Sequence, residues 1–339
     1  MSRIIDITDL SVEFDLTRGN DRRVLRAVES VTLGIERGEI LGIIGESGSG
    51  KTTLASAVLN LVQRPGKVTG GSIVYLGRDA LEKPVDLRTL SSQALDAYRW
   101  TRISCVFQAA QNALNPILKL KDVFLETVLA HEPKRHKDEI IAHAKMLLDS
   151  VRLNDYVLEY YPYQLSGGMK QRVLIALSLL LEPDIIILDE PTTALDVITQ
   201  KYIMTILKEI HDAKGVTMVF LTHDIAIIGS LVDRMAVMYA GRIVEIGSKT
   251  DLFQHPKHPY TFGLLHAIPT LTDDLSNRRA IPGMPPDLLK LPPGCSFRTR
   301  CFLAESGACT GEAHECSRMV DYGNGQMARC EHGGEVRES

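Results

Sequence analysis

The sequence predicts an α/β protein with a parallel β core, an antiparallel β subsheet before it, an inserted helical lobe, and a cysteine-containing C-terminal extension. Three observations carry this. Short, continuously apolar runs recur between helical stretches, as strands covered on both faces by helices require. A G-x-x-x-x-G-K-[ST] pattern stands between one such run and a helix. Five of the six cysteines fall after residue 290, which separates a cysteine-poor body from a cysteine-rich tail.

In chain order, segments 3–8, 11–15 and 28–34 are β-branched and alternating, with the polar run TRGND between the second and third, so they predict the antiparallel subsheet. The runs ILGIIG (40–45), ISCVF (103–107), IIILD (185–189), TMVFL (217–221) and MAVMY (235–239) predict buried parallel strands. The pattern between Gln108 and Leu165 is helical. Over 138–151 it sets Ile140, Ile141, Ala144, Met146, Leu147, Leu148 and Val151 on one face, which predicts the lobe over about 109–170. After Ala240 the chain becomes irregular, and Pro282, Pro285, Pro286, Pro292 and Pro293 precede the cysteines. The expected division is residues 1–255 and 256–339.

The chain has 339 residues, 45 % hydrophobic and 24 % charged, enough for one large domain and an appendage. A formal net charge of -4 argues against a dominant nucleic-acid surface. Asp6, Asp9 and Glu13 interrupt the start where a signal peptide needs an apolar core, so a cytosolic start is expected. No stretch reaches the roughly 18 apolar residues of a membrane span. The best candidate, 173–181, is half that length and ends at Glu182 and Pro183, so a membrane link has to come through a partner.

Gly45, Ser47, Gly48, Ser49, Gly50, Lys51 and Thr52, with Thr53 following, form a phosphate loop between strand and helix. Its glycines let backbone N–H groups close around phosphate oxygens, Lys51 sets a cation on the outer phosphates, and Thr52 offers a hydroxyl to Mg2+. A hydrolysing site also needs an acid for the metal and a group for the attacking water. IIILDE supplies Asp189 at the end of a buried strand and Glu190 beside it.

LSGGMKQR (165–172) resembles the signature motif of ATP-binding cassette (ABC) proteins. On its own it reads as an N-cap, with Ser166 capping a helix and Gly167 and Gly168 permitting close approach of an anion. Gln108, Asp196 and His223 fall in the order of that family's glutamine loop, D-loop and switch histidine. The resemblance implies an ATP- and Mg2+-dependent ATPase that dimerises head to tail. Each ATP would lie between the phosphate loop of one subunit and Ser166, Gly167, Gly168 and Gln171 of the other. It also implies that Thr52, Gln108 and Asp189 serve the metal, that Glu190 orients or activates water, and that His223 contacts the terminal phosphate. The usual adenine-stacking aromatic is missing from segment 18–27, which leaves Arg22, Arg23 or Phe14 for that role.

HPYTFGLLHAIP (258–269) and LPPGCSFRTRC (291–301) resemble the tail of oligopeptide and dipeptide importer ATPases. His258, Pro259 and Tyr260 read as packing residues. Disulfides are disfavoured in a cytosolic chain, which leaves a metal centre or reduced thiols, and the cysteine spacing matches no compact metal motif. The resemblance implies a [4Fe-4S] cluster on Cys295, Cys301, Cys309 and Cys330, with Cys316 the extra. It further implies a second, related ATPase chain, two membrane-spanning permease subunits, an extracytoplasmic solute-binding protein acting indirectly, no nucleic acid, and a peripheral location on the cytoplasmic face of the membrane. Related importers carry nickel or sugars. A soluble, non-transport ATPase of the same family would carry a long coiled coil or a second cassette, and neither is present.

Overall fold

A computed structural model describes residues 2–17, 21, 23–79, 81–108, 110–193, 195–267, 281–310 and 318–336. The chain begins with two long strands, β1 (Arg3–Asp15) and β2 (Val24–Glu36), followed by β3 (Ile40–Ile44) and α1 (Lys51–Val58). Next come β4 (Gly66–Tyr75), β5 (Val85–Asp86), α2 (Ser92–Asp96) and β6 (Ile103–Val106). The lobe holds α3 (Leu120–His131) and α4 (Lys137–Ser150) and leads into α5 (Gly167–Ser178). Then follow β7 (Ile185–Asp189), α6 (Val197–Lys214), β8 (Thr217–Thr222), α7 (Ile225–Ile228), β9 (Arg234–Tyr239) and β10 (Arg242–Ser248). The tail adds α8 (Lys249–Gln254), α9 (Pro259–His266), α10 (Phe302–Glu305), β11 (Val320–Asp321) and β12 (Met327–Ala328).

An antiparallel sheet runs in the order β2-β1-β4-β5. The expected segments 3–8 and 11–15 are one strand. Ile7 and Leu10 both face inward although three positions apart, and a register shift between them, with Asp9 at φ 49°, absorbs the extra residue. The sequence alternation changes phase there, which is why it reads as two strands.

The second sheet runs β11-β12-β10-β9-β3-β8-β7-β6, and its strands from β9 to β6 are parallel. Every residue of β3, β7 and β8 is buried, as their uninterrupted apolar character predicts. Ile44 pairs with Thr222 and Asp189 with Leu221, so Gly45, Glu190 and His223 leave one carboxyl edge side by side.

In the lobe, Ile140, Ala144, Leu147, Leu148 and Val151 are buried as expected, but Met146 is 71 % exposed. At about 100° per residue it sits about 240° around the helix from Ile140, off the buried face. The tail is not a free appendage. β12 extends the main sheet by pairing with β10, Glu245 opposite Ala328 and Ile246 opposite Met327. The buried Glu245 carboxylate accepts the N–H groups of Lys257 (2.8 Å) and His258 (2.9 Å) and the Gln326 amide (2.9 Å). Phe297 meets Tyr239 edge-on at 5.2 Å, and Tyr260 lies 4.6 Å from the same ring, so tail and body share one core. Among the described residues no helix is long and apolar enough to cross a membrane.

Candidate functional site

The turn after β3 is shaped by its glycines. Gly50 has φ 105°, and a Cβ there would stand 2.3 Å from the Ala27 carbonyl oxygen, so only glycine fits. Gly50 is also the N-cap of α1 and brings no side chain to the first-turn amides, which stay available to an anion. Lys51 is 6 % exposed and is held back against the loop, donating to the carbonyls of Gly45 (2.7 Å) and Glu46 (3.0 Å) and to Ser49 Oγ (3.4 Å). Burial lowers its pKa, while the charges of Glu190, Asp189 and Glu46 resist the shift.

Asp189 closes β7 at 1 % exposure, and neither carboxylate oxygen has a hydrogen-bond partner. Burial raises its pKa, and the Glu190 charge adds to this. Thr52 and Lys51 lie near enough to temper the shift, although no bond of normal geometry reaches either oxygen. An orphaned buried carboxylate beside a threonine hydroxyl fits a hard divalent cation that takes oxygen ligands.

Glu190 follows at φ 47°, a left-handed conformation unusual for glutamate, fixed by its N–H bond to the Leu221 carbonyl (2.8 Å). Its Oε1 meets His223 Nδ1 at 2.9 Å, and its Oε2 accepts from Gln108 Nε2 (3.1 Å) and Thr193 Oγ1 (2.8 Å). Burial alone would raise its pKa. The His223 and Thr193 bonds, with the charges of His223 and Lys51, outweigh that and leave it below the ordinary carboxylate value. Three side chains, Gln108, Thr193 and His223, thus converge on one carboxylate.

A cleft of about 960 Å³ joins these groups. It is lined by Glu46, Ser47, Gly48, Gly50, Lys51, Thr52 and Thr53 on one side and by Gln108, Glu190 and His223 on another. Phe14, Leu16, Leu25 and Ala27 form an apolar wall. Of the three adenine candidates, Phe14 is in that wall, Arg23 pairs with Asp21 at the surface (2.6 Å), and Arg22 lies outside the described residues. Leu264, Pro285 and Leu288 of the tail also line the cleft. Sequence reasoning missed them, because nothing local in them marks a nucleotide contact.

Ser166, Gly167 and Gly168 do not line this cleft. Ser166 caps α5 by accepting from the Met169 N–H (3.3 Å), and it is exposed together with Gly167. Gln171 is buried and accepts from Gln111 Nε2 (3.3 Å), so its side chain is turned inward. Asp196 caps α6 through Thr199, accepting from its N–H (2.9 Å) and hydroxyl (2.6 Å).

Residues 28–193 match the family described as ABC transporter, and residues 244–309 match the oligopeptide/dipeptide transporter C-terminal region. A dipeptide transport ATP-binding protein of Caldanaerobacter subterraneus subsp. tengcongensis is 43 % identical, with 90 % of each chain covered. The chain belongs to the ABC transporter family. Within the family it is also 38 % identical to the oligopeptide transport ATP-binding protein of Salmonella typhimurium, over 88 % of this chain and 86 % of that one. A solved dimeric bacterial ABC transporter cassette is 30 % identical with a TM-score of 0.61, covering 72 % of this chain and 98 % of that one.

The cassette's tail departs from one expectation. Burial, countered by backbone N–H groups and reinforced by the neighbouring thiols, pushes Cys301 up to about 11 and Cys330 up to about 12. The four thiols Cys295, Cys301, Cys309 and Cys330 therefore lie close enough to feel one another. Yet among the described residues no group of three or more His, Cys, Asp or Glu side chains is arranged to hold a metal ion, so the [4Fe-4S] expectation is not met by this arrangement. Cys316 lies outside the described residues.

Proposed function

We propose that this chain binds and hydrolyses ATP to power an ABC importer of di- or oligopeptides. The observation that carries the reading is the convergence of Lys51 and Glu190 with Gln108 and His223 along one cleft, with the buried, unpartnered Asp189 next to Glu190 at the end of β7. Thr52, Asp189 and Gln108 would hold Mg2+, which neutralises phosphate charge when bound. Lys51 would leave its loop carbonyls for the outer phosphates. Glu190, ionised and fixed from both oxygens, would orient the attacking water and accept its proton. His223, bonded through Nδ1, would offer Nε2 to the terminal phosphate.

The likeness to dipeptide and oligopeptide transport ATP-binding proteins supports peptides as the solute. The separation of Ser166 and Gly167 from the cleft, and their exposure, support completion of each site by a second cassette. In this reading residues 1–255 form the nucleotide-binding unit and 256–339 the extension. A related ATPase chain and two permease subunits are the partners, a solute-binding protein delivers the solute, and the chain sits on the cytoplasmic membrane face. The test is reconstitution with the permease subunits in proteoliposomes. ATP-dependent uptake of a labelled dipeptide is expected, and its loss in Lys51→Ala; ATP turnover unaffected by that variant would refute the reading.

A second proposal is that Cys295, Cys301, Cys309 and Cys330, near enough to influence one another but not grouped as metal ligands here, draw together around a [4Fe-4S] cluster when it binds. Anaerobic purification should then give about four irons and four acid-labile sulfides per chain, in line with the cluster's composition. Colourless, iron-free protein would sink this proposal alone.

A further inference from the structure

Glu46, the second residue of the phosphate loop, is gripped from three directions. Its N–H donates to the Tyr260 hydroxyl (2.9 Å), its carbonyl accepts from Lys51 Nζ (3.0 Å), and its carboxylate takes both ends of the Arg300 guanidinium, at 2.7 and 2.9 Å. Two of the three partners belong to the C-terminal extension. Arg300 is itself fixed: its side chain is 4 % exposed, Nε donates to the Pro282 carbonyl (2.8 Å), and the group lies over the rings of Tyr239 and Phe297. A planar, bidentate, stacked guanidinium is a contact that lysine cannot reproduce.

Charge makes this grip matter. The cleft that would take a triphosphate presents the acids Glu46 and Glu190, with the buried Asp189 beside them. Against them stand Lys51, already drawn onto loop carbonyls, and His223. Without Arg300 the Glu46 carboxylate would stand uncompensated next to the phosphate position, and the peptide carrying the Lys51 contact would lose one of its anchors.

We propose that Arg300 of the C-terminal extension is a positioning residue for nucleotide binding, neutralising Glu46 and fixing the phosphate-loop peptide that holds Lys51. It acts in cis, through Glu46, without touching the nucleotide. The inference rests on the ATP-site reading above.

The test is Mg·ATP, Mg·ADP and AMP affinity of the full-length chain by calorimetry, with thermal unfolding followed in parallel. Arg300→Ala is expected to weaken ATP about tenfold, ADP less and AMP least, because the exposed carboxylate repels in proportion to phosphate charge. Arg300→Lys should fall between wild type and Arg300→Ala. Adding Glu46→Gln to Arg300→Ala should restore ATP affinity to within about threefold of wild type, a rescue that a merely structural role would not give. If Arg300→Ala does not fold, Arg300→Lys with and without Glu46→Gln reads the same rescue. Arg300 variants that bind ATP within twofold of wild type, a loss equal for ATP and AMP, or a double variant as weak as its Arg300 parent would each overturn the proposal. Wild-type protein that binds no ATP, or a Lys51→Ala variant that binds it equally well, would instead overturn the site reading and this inference with it.

Discussion

Replacing Glu190 by glutamine separates binding from hydrolysis. The glutamine oxygen can take the Oε2 position and keep the bonds from Gln108 (3.1 Å) and Thr193 (2.8 Å). Its amide then faces His223 Nδ1 (2.9 Å), which accepts in its other tautomer. The side chain should therefore stay where it is and lose only its charge and its capacity to take a proton. ATP affinity is expected to stay within about threefold of wild type, since the interactions removed belong to the transition state. A positioned proton acceptor contributes about 10²- to 10⁴-fold, which at about 1.36 kcal/mol per decade is about 3–5 kcal/mol of barrier. The assay is single-turnover phosphate release with bound ATP measured alongside. Hydrolysis within fivefold of wild type would refute the role of Glu190, and loss of ATP binding would refute the claim that glutamine preserves the geometry. The carboxylate sits below its ordinary value of 4.5, so wild-type single-turnover rates should survive as pH falls through that value and fail only below it, where Glu190 gains its proton.

Three further outcomes follow from the same geometry. Asp189 holds its proton more tightly folded than unfolded, so its contribution to stability is present at low pH and lost as pH rises through the folded pKa. Asp189→Asn should thus raise the melting temperature of the nucleotide-free chain near neutral pH by about 2 °C, from relief of about 1 kcal/mol, while abolishing the stabilisation that Mg·ATP gives wild type. Gly50→Ala forces a Cβ to 2.3 Å from the Ala27 carbonyl at φ 105°, and calorimetry should find ATP binding lost with the fold intact by circular dichroism. Val197 and Ile198, beside Asp196 at the start of α6, are 78 % and 83 % exposed; Ile198→Glu should prevent ATP-dependent dimerisation in sedimentation velocity while leaving ATP affinity of the single chain unchanged.

The parts of the site that the sequence made legible are those where chemistry and backbone geometry are contiguous. The phosphate loop, Asp189 and Glu190 each follow an uninterrupted apolar run, and a parallel sheet has to deliver the ends of such runs to one edge. Less legible was whatever mixes periods. β4 carries glycines and polar residues along its exposed face, and β1 changes phase at its bulge, so neither reads as one strand. Met146 shares the apolar character of its neighbours in 138–151, but the helical angle puts it outside the buried face. The pairing of Glu46 with Arg300 spans 254 positions, and neither residue alone carries any sign of the other.

That long-range pair bears on why the extension exists at all. The solved dimeric cassette is matched over 98 % of its length by 72 % of this chain, so a cassette can be shorter than this one. Here the added segment buries Phe297 and Tyr260 against Tyr239 of β9, and β9 is the strand hydrogen-bonded to β3, whose end carries the loop. Tyr260 and Arg300 emerge from that shared aromatic cluster and both close on Glu46. Leu264, Pro285 and Leu288 of the extension also line the cleft. The extension therefore touches the nucleotide site through charge, backbone and apolar surface together. Cys301 is the residue next to Arg300, so one peptide bond joins the cysteine region to the contact that holds the phosphate loop.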